Sequence, residues 1–261
     1  MTTSPKPRKR LPEHPSEENL RKQAKHLAKS GGLQLAAAQR QLAIEYGFRN
    51  WTELMEAVIV DRAVPLLPLR ELITFPHELY PIYIGRPMSI RAIEAASEGK
   101  TPILMVAQKD ATISNPLADN MYEIGTLGTL SQWVKLGDGT IKAEIAGRSR
   151  ARVSRYIFDQ DFFKAECVDI VERVEPSAEL DALMRSVVAA FDAYVEHEGR
   201  IPLEVAKAID SSFAAITDSA LLADKIVGHL KLATVERQAL LETINPAARL
   251  QKILGYLNTK P

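Results

Sequence analysis

The sequence predicts an α+β protein built as a small helical module, a β-rich region with one inserted helix, and a C-terminal helical bundle. Three observations carry this. Residues 16–60 repeat apolar side chains at helical spacing. Residues 64–174 shorten that period and gain Gly, Pro and Asp punctuation, as short strands joined by turns do. From residue 176 the helical period returns. The expected divisions are a disordered basic leader over 1–14, the module over 15–62, the β-rich part over 63–175 and the bundle over 176–258. The 261 residues are long enough to bury a substantial core. With 46% apolar and 25% charged residues and a formal net charge of zero, nothing global calls for a polyanionic partner. No apolar run approaches a membrane span, and "MTTSPKPRKR" lacks the apolar stretch of a secretory signal. The single cysteine, Cys167, excludes an intrachain disulfide, and a cytoplasmic location is expected.

In the first module the apolar positions are Leu20, Ala24 and Leu27, then Leu35, Ala38, Leu42 and Ala43, then Trp51, Leu54, Met55 and Val58. Ser16 reads as a helix N-cap, Gly31-Gly32 as the first stop and Gly47 as a left-handed residue at the second break. The next stretch, "VPLLPLRELITFPHELYPIYIGR", sets Pro65, Pro68, Pro76 and Pro81 among apolar runs of strand length. Proline cannot donate to a central ladder, so these runs pose a problem that composition alone does not solve. "SIRAIEAASEG" predicts a helix from an N-cap at Ser89 to a stop at Gly99, and "PILMVAQ" a buried strand over Ile103 to Ala107. Leu130 to Leu136 and Thr140 to Ala146 predict a hairpin turning at Gly137-Asp138-Gly139. "FFKAECVDIV" reads as a strand holding Cys167 as a half-buried structural thiol.

A long amphipathic helix is expected between Ser177 and Gly199. Shorter ones follow over Pro202 to Asp210, Ser219 to His229, Thr234 to Thr243 and Pro246 to Leu257, each opening at a start signal. Catalytic and cofactor motifs fail one by one. "SEGKT" ends like a phosphate-binding loop, but Glu94 stands where its first glycine belongs and the helix precedes the strand. Ser97 and Lys100 have S-x-x-K spacing without the companion signatures of penicillin-recognising enzymes. "EHEGRI" lacks the second histidine of a zinc helix, having Ile201 there, and the five histidines are scattered. No metal, cofactor or catalytic residue is expected. Arg148, Arg150, Arg152 and Arg155 form a dense basic run with two readings, a solvated strand edge or an anion or nucleic-acid surface.

"LLPLRELITFPHELYPIYIGRPMSIRAIEAA" closely resembles the start of the amino-terminal, substrate-binding domain of the Lon protease family. "ILMVAQKD", "YEIGTLGTLSQWVKLGDGTIKAEIAGRSRARV", "AFDAYVEHEGRIPLEVAKAI" and "LADKIVGHLKLATVERQALLETINPAARLQKIL" continue the family's pattern in the same order, over about Val64 to Leu257. The resemblance implies a β-rich pseudo-barrel with one inserted helix, followed by a bundle, with the prolines at strand ends and on the loop "TFPHELYP". It also implies protein recognition. Lon's ATPase module and Ser-Lys protease module have no counterpart in these 261 residues, so no enzymatic activity is expected. Residues 15–60 more weakly resemble a helical module found ahead of other domains in bacterial proteins, through "PSEENLRKQAKHLAKS", "LAAAQRQLAIEYGF" and "WTELMEAV".

The function expected on these grounds is a non-catalytic module that binds exposed or unfolded protein segments, with a Lon protease or a chaperone as further partners. Binding would use Phe75, His77, Leu79, Tyr80 and Trp133, although Phe75 and Trp133 also suit a core. The alternative is a nucleic-acid-associated regulator using the basic N-terminal end. Residues 1–63 hold 11 Lys/Arg against 7 Asp/Glu. No membrane contact is expected, and the sequence leaves the oligomeric state open.

Overall fold

The computed structural model describes residues 9, 17–55, 63–159, 161–172, 174–198 and 216–259. Helices α1 (Glu17–Gly31) and α2 (Leu35–Glu45), with residues 51–55 in a further helical turn, form the first part. Leu20, Ala24, Leu42, Ala43, Leu54 and Met55 close its core, and Trp51 and Phe48 pack against it. Gly32 and Gly47 take the positive φ that each helix stop requires, 63° and 89°. The N-cap expected at Ser16 lies outside the described residues, as does the 1–14 leader apart from Lys9. Lys9 pairs with Glu45 at 2.6 Å.

Among the described residues six strands follow: β1 (Val64–Leu69), β2 (Leu79–Ile84), β3 (Ile103–Ala107), β4 (Ile124–Lys135), β5 (Ile141–Asp159) and β6 (Phe162–Asp169). Helix α3 (Pro87–Gly99) is inserted between β2 and β3. β1 and β3 run parallel, and the remaining pairs are antiparallel. The order β2-β5-β4-β3-β1-β6, with β6 also pairing β5, closes five strands into a circuit. Closure removes their edges. The long strand β5 makes this possible. One of its sides pairs β2 over residues 141–146 and then β6 over 151–159, while the other pairs β4. Among the described residues β2 therefore has one neighbour and is an edge strand.

The prolines do not all sit at strand ends or in the loop. Pro65 and Pro68 lie within β1 and Pro81 within β2. Pro81 is on the edge strand, where an outward position needs no donor. The β1–β6 ladder pairs Val64 and Pro65, and beyond it the Pro68 carbonyl accepts from the Arg86 guanidinium. A side chain replaces the missing strand there. One cap also differs from expectation: the N-cap of α3 is Arg86, with Ser89 buried inside the first turn. The helix ends at Gly99 as expected, and Lys100 after it takes the left-handed conformation, φ 48°.

The bundle comprises α4 (Ala178–Glu198), α5 (Ser219–His229), α6 (Thr234–Leu241) and α7 (Pro246–Thr259). The Leu180 N–H donates to Ser177 Oγ at 3.2 Å, and Asp218 Oδ1 accepts from Ala220 and Leu221 at the start of α5. The helix expected over Pro202 to Asp210 and the stop at Gly199 lie outside the described residues.

Three cores hold these layers. Leu66, Leu104, Leu127, Ala151, Val153 and Phe163, drawn from all five strands of the circuit, fill the barrel interior. α3 covers a second cluster that includes Leu67, Ile82, Ile103, Met105, Ile141 and Ile145. The bundle packs on Ile73, Phe75, Ala107 and Ile124 of the β-rich part.

Candidate functional site

The connection between β1 and β2 is tied to the barrel and the bundle by several hydrogen bonds. The Phe75 N–H donates to the Tyr80 hydroxyl at 2.7 Å, and burial pushes that phenol up to about 12. The His77 N–H donates to the Gly147 carbonyl at 3.0 Å, and the Gly147 N–H donates to Glu78 at 2.8 Å. Lys225 of α5 reaches both the His77 carbonyl, at 3.0 Å, and the Glu78 carboxylate, at 2.8 Å. A Cβ at Gly147 would collide with the Phe75 carbonyl, so only glycine lets loop and strand approach this closely.

These bonds sort the residues predicted to bind a partner. Phe75 is 0% exposed, with the Arg150 guanidinium 5.7 Å from its ring centre. It is a core residue and offers a partner nothing. Tyr80 is half-buried. His77 is exposed with φ 64°, and Leu79 is 53% exposed. Trp133 is 37% exposed, and its indole N–H donates to Ser97 Oγ of α3 at 3.0 Å.

Strand register separates Leu79 from Trp133. Trp133 pairs with Ala143, which pairs with Ile82, and both of these are buried under α3. Leu79, Pro81 and Tyr83 occupy the alternate positions on the solvent face. On that face Tyr83 pairs with Lys142, which pairs with Val134, so three exposed side chains stand in a row across β2, β5 and β4. Tyr83 is 68% exposed, and the Lys142 ammonium lies 5.7 Å from its ring. Val134 is also exposed. The sequence reading missed Tyr83 and Val134. The period of two in "LYPIYI" carries the signal, because buried Ile82 and Ile84 put Leu79 and Tyr83 outside.

The basic run does not form one surface. Arg148, Arg152 and Arg155 are exposed, and Arg152 lies 3.6 Å from Glu123. Arg150 is 1% exposed, because the bundle covers this part of the barrel. Its guanidinium makes a bidentate pair with Asp224 of α5, at 2.6 and 2.7 Å, and also reaches Glu172 at 3.1 Å and the Leu241 carbonyl at 3.0 Å. Arg249 of α7 closes the cluster on Glu172 at 2.6 Å and Asp224 at 3.2 Å. Cys167 is half-buried on β6, and its thiol is pushed up to about 11, first by burial and then by Asp169 and Glu166. Among the described residues no group of three His, Cys, Asp or Glu is placed to hold a metal ion. No described helix is long and apolar enough to cross a membrane.

Residues 63–259 match the family described as the ATP-dependent protease La (LON) substrate-binding domain. The chain belongs to this family. It is similar to the Lon protease of Azorhizobium caulinodans, 39% identical over 201 residues, which are 77% of this chain and 23% of that protein. Lon protease 1 of Myxococcus xanthus is 43% identical over 195 residues, again covering 23% of its length. The chain thus spans about a quarter of the curated relatives it matches, and what it shares is the Lon substrate-binding domain. Among solved structures, the N-terminal domain of the Mycobacterium avium complex Lon protease superposes with a TM-score of 0.63 at 21% identity, covering 76% of this chain and all of that one. A Lon N-terminal domain protein from Xanthomonas campestris gives 0.52 at 15% identity. At those identities the likeness concerns the fold, the β-rich barrel with an inserted helix and a following bundle that the sequence predicted.

Proposed function

We propose that this Lon substrate-binding domain recognises exposed or unfolded segments of other proteins as a non-catalytic adaptor or regulator of protein quality control. The observation that carries the reading is the solvent face of β2, β5 and β4. Leu79, Tyr83 and Val134 are exposed there on a rigid sheet, next to the edge of β2. Unfolded segments expose apolar side chains and unpaired backbone, and an edge strand beside an apolar face can take up both. The family match supports the same reading. A Lon protease or a chaperone is the partner expected to receive the bound segment.

The test is fluorescence anisotropy with a labelled, permanently unfolded protein. Saturable binding is expected for the intact chain, with weaker binding by Leu79→Ser and Tyr83→Ser. Binding no stronger than that of an unrelated folded domain would reject the reading. Incubating the chain with ATP and casein tests its non-catalytic half, with neither hydrolysis nor cleavage expected.

A further inference from the structure

Helix α3 begins without compensation for its N-terminal end. Its N-cap, Arg86, makes no side-chain capping bond, Pro87 follows, and the first turn holds no acidic residue. Pro87 has no N–H and the Ser89 N–H already donates to the Arg86 carbonyl at 3.0 Å, so what this end offers is the positive pole of the helix dipole, with no acidic residue in the first turn. A cavity of about 480 Å³ adjoins this end, between the last residues of β1 and of β2. Leu69, Leu72, Tyr83 and Ile84 give it apolar walls.

Two further observations point to a ligand in this cavity. Ser89, in the lining, is 2% exposed, and its buried hydroxyl has no hydrogen-bond partner among the described residues. Buried hydroxyls are normally bonded, so this one is a donor in waiting. Arg86, also in the lining and half-buried, spends its hydrogen bonds on neutral oxygens: Gln108 Oε1 at 2.6 Å and the carbonyls of Pro68 and Ser114. Among the described residues no carboxylate pairs with it. Its charged neighbour is Arg70, and burial together with that positive charge lowers the Arg86 pKa. Glu71 is the one acid in the lining, and it pairs with neither arginine.

We propose that this cavity binds the free C-terminal carboxylate of an extended peptide whose last residue is apolar. The carboxylate lies against the α3 N-terminus, Ser89 and Arg86, and the terminal side chain lies against Leu69, Leu72 and Tyr83. A C-terminal residue suits the site because it carries a carboxylate and an apolar side chain on the same carbon, whereas inorganic phosphate brings charge without an apolar body. The inference rests on the recognition of protein segments proposed above and names the substrate class.

The test uses the intact chain and a short labelled peptide ending in leucine, prepared both as the free acid and as the carboxamide. The acid is expected to bind roughly tenfold tighter or better, since its hydrogen bonds are charge-assisted. Ser89→Ala and Arg70→Gln should shrink that preference while leaving the circular dichroism and melting temperature unchanged, because among the described residues neither side chain has a hydrogen-bond or ion-pair partner to lose. Equal binding of acid and carboxamide overturns the carboxylate site and leaves the broader recognition reading standing. Binding of neither peptide, together with failure to bind a permanently unfolded protein, overturns both. Displacement of a phosphate probe without any preference for the acid peptide also overturns the assignment.

Discussion

Arg150 and Asp224 are fully buried partners contributed by β5 and α5, and Glu172 and Arg249 complete a cluster of two positive and two negative charges. Burying such charges is costly, and the cost is offset only while each keeps its partners. Asp224→Asn should therefore destabilise the chain by about 3–5 kcal/mol in urea unfolding, while Arg150→Met combined with Asp224→Leu should cost less than the two single changes summed. Tyr80 gives a second residue-scale prediction. Burial raises its folded-state pKa from 10.0 to about 12, so the folded state holds the proton more tightly. The stabilisation it brings is complete below pH 10 and is lost as pH rises from 10 towards 12. A spectrophotometric titration should show two delayed phenols, Tyr80 and Tyr156, whose pKa burial also raises, and Tyr80→Phe should remove one of them and flatten the loss of stability across that window. Sequence could not distinguish Arg150 from Arg152, two residues apart in one basic run. Their difference comes from Asp224 and from bundle side chains packed over one of them, information that lies far along the chain.

Strand β2 shows how one element serves both core and surface. Its inward positions Ile82 and Ile84 are sealed under α3, while Leu79, Pro81 and Tyr83 face water. The preceding loop turns its one phenylalanine inward. Phe75→Ala should cost about 3–5 kcal/mol in urea unfolding, as emptying a filled aromatic site does, whereas Tyr83→Ala should stay within about 0.5 kcal/mol. A large loss at Tyr83 would show that its ring is structural and would remove it from the candidate surface. Elements bounded by local chemistry were legible in the sequence: the run Ile103 to Ala107 is β3, and Ser219 to His229 is α5. β4 and β5 are longer than the hairpin arms that alternation predicted. Their pairing shifts between Leu127 and Gly128 and between Leu130 and Gln132, which breaks the period of two that the reading followed. The candidate site was less legible than the fold. Leu79 is exposed on the candidate face, but the sequence reading grouped Trp133 with it because only the register shows that the two occupy opposite faces.

Across the whole molecule the decisive question is which parts unfold together. The barrel cannot complete itself: Ile73, Phe75, Ala107 and Ile124 bury their side chains in the cluster that holds α4, α5 and α7, and Arg150 finds its counter-charge there. Without the bundle these apolar groups would face water, and Arg150 would lose its buried counter-charge on Asp224. The helical module is different, since among the described residues its core cluster is drawn from residues 20–55 and shares no residue with the other three. The chain has two tryptophans, Trp51 in that module and Trp133 on the barrel hairpin, so each part carries one reporter. Trp133→Phe leaves emission from the module alone, and Trp51→Phe leaves emission from the barrel alone. Adding Asp224→Asn to each should lower the urea midpoint reported by Trp133 and leave that reported by Trp51 unchanged. Equal shifts at both reporters would mean that module, barrel and bundle fold as one unit, and the separateness of their cores would then have no thermodynamic counterpart.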